Sequence, residues 1–131
     1  MTENKRTRHA TVLNTDQPIT DFRGNHMIID GGDGKQKRVT LRDILLTALG
    51  SYSSTNPSIE IQRVENKRAV TLAREMIGKF NEIEIGAYEQ KILCDAITQN
   101  ASFTALIKVQ AEEMVNSAEL REFEVVDKTK E

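Results

Sequence analysis

A glycine-rich turn feeding directly into a capped helix constrains this chain more than any other stretch. Met27-Ile28-Ile29 is a compact apolar run, Gly31-Gly32-Asp33-Gly34 offers three glycines able to take positive φ, and the residues from Lys35 to Val39 suit a returning strand. Thr40 then stands as an N-cap with Asp43 three residues on, a variant of the capping box, and Gly50 is placed to end the helix in the left-handed conformation. Leu41, Ile44, Leu45, Ala48 and Leu49 recur at helical spacing and form one apolar stripe. Leu46 lies off that stripe and suggests a second contact surface. A hairpin this small is marginal alone and needs a helix to cover it. The expected architecture is therefore α+β, a small N-terminal β-hairpin packed on a bundle of about four helices.

Three more helices complete that bundle. After a polar linker at Ser51–Ser58, closed by Asn56-Pro57, a long helix is expected from Ser58 or Ile59 to Phe80, with Ala69, Leu72, Ala73, Met76, Ile77 and Phe80 facing inward. Ile59, Ile61 and Val64 fit its stripe poorly. A third helix opens at Gly86 and buries Tyr88, Ile92, Leu93, Ala96 and Ile97; a fourth opens at Ser102 and carries Phe103, Leu106, Ile107, Ala111, Met114 and Val115. Residues 1–18 are polar, carry Lys5, Arg6 and Arg8 against Glu3, and show no period, so they read as a mobile tail. Residues 19–118 then form one α+β domain. Residues 119–131 read as an acidic tail, with Phe123 to Val126 either an extra strand or a disordered recognition segment; from Glu112 onward the chain has seven acidic against three basic residues.

Charge and motif spacing exclude several classes of function. A formal net charge of −2 is not that of a protein coating nucleic acid or an anionic membrane by bulk charge, and the lack of Trp argues against base-stacking platforms. No apolar run is long enough to span a membrane, the N-terminal residues carry no apolar leader core, and the single Cys94 cannot form an internal disulfide, so a soluble protein of a reducing compartment is expected. Gly31 to Lys35 lacks the spacing and the following Ser or Thr of a phosphate loop, and Asp30 and Asp33 lack the remaining ligands of a calcium loop. His9 and His26 are the only histidines, too few to build a metal site or general base, and Cys94 has no histidine partner to activate it. No enzyme activity, cofactor or metal is expected.

One positive cluster is held by secondary structure: Lys35, Lys37 and Arg38, with Arg23 nearby. A hairpin of this kind presents basic side chains to an acidic protein face or a DNA groove, or merely guards a strand edge against aggregation. With Leu46, Ile59 and Ile61 these three make up the candidate partner-binding residues. The apolar residues Leu46, Ile59, Ile61 and Val64, if all exposed, would form a patch that monomers seldom keep, so a homo-oligomer through the first two helices is expected.

The order of a strand pair, a glycine turn, Thr40-Leu41-Arg42-Asp43-Ile44-Leu45, Ala48-Leu49, Leu72-Ala73 with Ile77, and Ile83-Glu84-Ile85 leading to Tyr88-Glu89 and Ile92 resembles small proteins of tailed phages and prophages that lack an assigned function. The resemblance runs from Ile19 to Met114 and departs at Gly86, where a hydroxyl cap is usual. It implies an accessory phage protein of the bacterial cytoplasm and carries no catalytic residues over. The function expected first is that of a non-enzymatic protein that binds, regulates, inhibits or escorts another protein of host or phage. A virion or tail-assembly chaperone comes second, and a DNA-binding regulator using the basic hairpin third.

Overall fold

The computed structural model describes residues 3–30, 32, 34–79 and 81–128. The expectations for Met1, Thr2, Gly31, Asp33, Phe80 and residues 129–131 lie outside the described residues. In chain order the elements are β1 (Glu3–Asn14), β2 (Ile28–Asp30), β3 (Gln36–Arg38), α1 (Leu41–Gly50), α2 (Ile59–Gly78), β4 (Glu82–Ile85), α3 (Ala87–Gln99), α4 (Ala105–Asn116) and β5 (Glu119–Lys128). The fold is α+β: β2 and β3 pair as the expected hairpin, and a three-stranded antiparallel sheet in the order β4-β1-β5 joins four helices.

That sheet corrects the reading of the N-terminal end and, at the C-terminal end, takes the extra-strand alternative over a longer stretch than Phe123 to Val126. The stretch read as a mobile tail over residues 1–18 is largely β1, and most of the acidic tail 119–131 is β5, the two pairing from Glu3↔Lys128 to Val12↔Glu119. The basic head and acidic tail are the two halves of one ladder. Thr7 faces Glu124 and His9 faces Glu122. The Arg8 guanidinium forks onto Glu84 at 2.8 and 2.9 Å and sits 5.0 Å from the centre of the Phe123 ring. At its inner end β1 also pairs with β4, whose Ile83 and Ile85 join Leu13 in the core. Backbone pairing and buried residues at one end offset an ordering entropy that the polar sequence alone could not.

The core gathers Leu13, Ile19 and Val39 with the inner faces of β4 and the helices. In α1 the buried residues are Leu41, Ile44, Leu45, Ala48 and Leu49, the stripe read from spacing. Its start is closed by the Asp43 carboxylate, which accepts from the Thr40 amide at 3.0 Å and the Thr40 hydroxyl at 3.2 Å. The Leu41 and Arg42 amides, free in any first turn, donate to the carbonyls of Gln17 and Thr15 at 2.8 and 2.9 Å. Burial pushes the Asp43 carboxyl up, but the Thr40 amide, the Lys37 ammonium and the Thr40 hydroxyl outweigh it and hold the group below its ordinary value.

Several packing expectations change. Gly50 does not take positive φ; the cap is Ser51, whose amide donates to the Ala48 carbonyl while the Tyr52 amide donates to that of Leu49. Leu46 is half-buried against the core, so it is not the open contact surface expected of it. Helical spacing puts Ile77 and Tyr88 in buried stripes, yet Ile77 is 60% and Tyr88 42% exposed. In α2 the inward line is Glu65, Ala69, Leu72 and Met76, and Ile77, one residue after Met76, falls about 100° around the helix from it. The fourth helix begins later than expected, at Ala105 behind a Thr104 cap, with Phe103 packed on the core from outside it.

Candidate functional site

The expected hairpin is one of two loops that rise from a common root. There Ile19, Met27 and Val39 close a ring of three backbone hydrogen bonds: Ile19 N–H to Val39 O, Val39 N–H to Met27 O and Met27 N–H to Ile19 O, each 2.9 Å. Ile19 and Val39 are buried and Met27 packs against them, so the root belongs to the core. Neither loop is covered by it.

The first loop runs from Thr20 to His26, which form an antiparallel bridge. Asp21 builds its turn. Its carboxylate accepts from the amides of Arg23 and Asn25 at 2.8 and 3.0 Å, its own amide donates to Asn25 O at 2.9 Å, and its carbonyl accepts from Gly24 at 3.0 Å. Gly24 reverses the chain at φ 83°, where a side chain would be strained. Gln110 on α4 clamps the loop base, its Oε1 accepting from the Thr20 amide and its Nε2 donating to the Thr20 carbonyl. At the tip of this bonded turn Phe22 is 91% exposed. An aromatic ring left in water on a rigid support is the uncommon observation of this molecule.

The second loop is the β2–β3 hairpin, reversed through Gly32 and Gly34 at φ 83° and 79°. Ile28 pairs with Arg38 and Ile29 with Lys37; the two isoleucines point to opposite faces and remain about half exposed, so neither face lies on the helices. Lys37 is tied back to α1 by a 3.2 Å ion pair with Asp43. Lys35 and Arg38 are exposed, as is Arg23 on the first loop. Together the two loops expose one aromatic, two aliphatic and several basic side chains.

The other candidate residues lie apart from it. Leu46 is on α1, and Ile59 and Ile61, 66% and 46% exposed, stand on opposite sides of the first turn of α2. A concavity of about 600 Å³ lies between β1 and α2 and is lined by Arg8, Arg68 and Lys79 among others. Its charges are largely spent internally, Arg8 on Glu84 and Arg68 on Glu89 at 2.7 Å. Sequence reasoning also missed Glu65, a buried carboxylate whose Oε1 accepts from the Ser54 hydroxyl at 3.2 Å while Lys91 stands 4.0 Å from Oε2. The signal was present: Glu65 precedes Ala69 by four residues on the inward line. With Asn66, which accepts from the Ser54 amide at 2.8 Å, it makes the supposed linker an ordered loop.

Cys94 is half-buried, its thiol 3.7 Å from Asn116 Oδ1 and pushed up by burial first and then by Glu112 and Asp95. Among the described residues no cluster of His, Cys, Asp and Glu side chains is arranged to hold a metal ion, and no helix is long and apolar enough to cross a membrane. The fold and site together define an α+β protein with a two-fingered aromatic and basic surface. No protein family, curated protein or solved structure matches the chain.

Proposed function

We propose that this chain is a non-enzymatic accessory protein, of the phage type its element order resembles, that acts by binding another protein and so regulating or escorting it. The contact surface is the pair of loops, and the exposure of Phe22 on its hydrogen-bonded turn carries the reading. Burying such a ring against a partner is worth on the order of 1.5–3 kcal/mol, and a support that is already ordered loses little entropy on docking. Buried aromatic anchors with arginine beside them are the usual centres of binding energy. Arg23, next to Phe22 in the chain, and Lys35 and Arg38 on the second loop select an acidic surface and speed encounter with it.

The test is co-purification from the native host with three forms of the full chain: wild type, Phe22→Ala, and Lys35→Glu with Arg38→Glu. The expected result is a defined protein partner held by wild type and lost from both variants while their melting temperatures stay at the wild-type value. Retention of that partner by both variants would remove the two loops from the binding surface.

A further inference from the structure

The outward side of α2 carries a second surface that the loops do not explain. Ile59, Val70 and Ile77 are 66%, 48% and 60% exposed. Their spacings of eleven and seven residues bring all three onto one line of an α-helix, eighteen residues or about 27 Å long. Beside that line, four residues after Ile59, four residues after Arg63 and seven after Lys67, stand the exposed basic residues Arg63, Lys67 and Arg74. Among the described residues none of these three is in an ion pair, whereas Arg8, Arg68 and Arg121 all are. Glu60 is the only exposed carboxylate that α2 adds on this side.

We infer that this face of α2 docks an acidic amphipathic helix of another protein, its apolar line seated on Ile59, Val70 and Ile77 and its carboxylates set against Arg63, Lys67 and Arg74. The apolar line fits a partner of about three heptads, and unpaired basic flanks select glutamates at the positions that face them. A second copy of α2 fits worse than an acidic partner. Laid parallel it brings Arg63 against Arg63, and laid antiparallel it brings Arg63 toward Arg74; both are like-charge contacts.

The probe is a synthetic helical peptide of about three heptads with Leu at the a and d positions and Glu at e and g. Its binding to the full chain is measured by calorimetry at about 50 mM and about 500 mM salt, with a Lys-flanked peptide as control. The acidic peptide is expected to bind wild type, with affinity falling at the higher salt and dropping roughly tenfold or more in Arg63→Glu/Lys67→Glu/Arg74→Glu. Val70→Asp should also lose it, with circular dichroism unchanged in both variants. Failure of wild type to bind the acidic peptide, equal binding of the Lys-flanked control, or full affinity in both variants overturns the inference. So does self-association abolished by the triple variant, or engagement of the same residues by duplex DNA or anionic vesicles in preference to the peptide. Phe22→Ala leaves this binding intact, so failure here and failure of the loop surface are separate results.

Discussion

Helix α1 and the β1–β5 ribbon hold their shapes by opposite means. In α1 five apolar side chains are buried, and the first turn is closed locally by Asp43 and from just past the end of β1 by the carbonyls of Thr15 and Gln17. The outer part of the ribbon exposes Arg6 to His9 on one strand and Glu122 and Glu124 on the other, and is held by a backbone ladder with the exposed Arg8–Glu84 ion pair beside it. One is fixed by packing and the other by partnership. Side-chain substitutions should therefore wound α1 and spare the ribbon, whereas removal of a whole strand should melt the ribbon locally and spare α1.

The largest effect is expected from Leu45→Ala, which should cost about 2–5 kcal/mol in denaturant unfolding because the site is fully enclosed. The same truncation at Leu120, 70% exposed, should change stability by no more than about 0.5 kcal/mol. Equal losses at the two sites would break the comparison. Next, removing residues 119–131 should strip hydrogen-exchange protection from amides at the outer part of β1 while those of α1 keep theirs, since α1 makes none of the ribbon's backbone bonds. A global collapse of protection would show that the ribbon and core form one cooperative unit.

Asp43→Asn should cost about 0.5–2 kcal/mol near neutral pH by weakening the cap. Because the Asp43 carboxyl is held below its ordinary value in the folded protein, the stability it adds is fully present above the unfolded carboxylate value, about 3.9, and is lost as pH falls through the lower folded value. The gap between wild type and the variant should thus close on acidification, and a gap that widens would reverse the assignment. The smallest effect belongs to Arg8→Gln. Glu84 is held below its ordinary value by its hydrogen bond to Arg8, yet both groups face solvent, so the melting temperature should move little and less still at high salt.

The parts of this fold legible in sequence are those whose causes lie within a turn or two. The α1 stripe, the Thr40–Asp43 cap and the glycine reversal of the hairpin follow from residues three or four apart, and each was found there. Gly50 misled because a glycine permits the left-handed conformation without requiring it. The ribbon was illegible for a different reason: Arg8 does not reveal that Phe123 and Glu84 will flank it, and a basic stretch with an acidic stretch far away is equally the pattern of two solvated tails. In the site, Lys35, Lys37 and Arg38 could be named because a turn preceded them. Phe22 could not, since burial is the ordinary fate of phenylalanine and only the bonds made by Asp21 and Gln110 show that its loop stands clear of the core.

The pairing of β1 with β5 also sets an order of events during synthesis. β1 ends at Asn14 and β5 begins at Glu119, so 105 residues must be made before the ladder can start to close. At ribosomal speed that is a wait of roughly 5–20 s, long beside the microseconds in which a hairpin such as β2–β3 closes. For that interval β1 has an open edge, and the charges of Arg6 and Arg8 guard it against pairing with a neighbouring nascent chain. The basic strand keeps itself soluble until its acidic counterpart arrives.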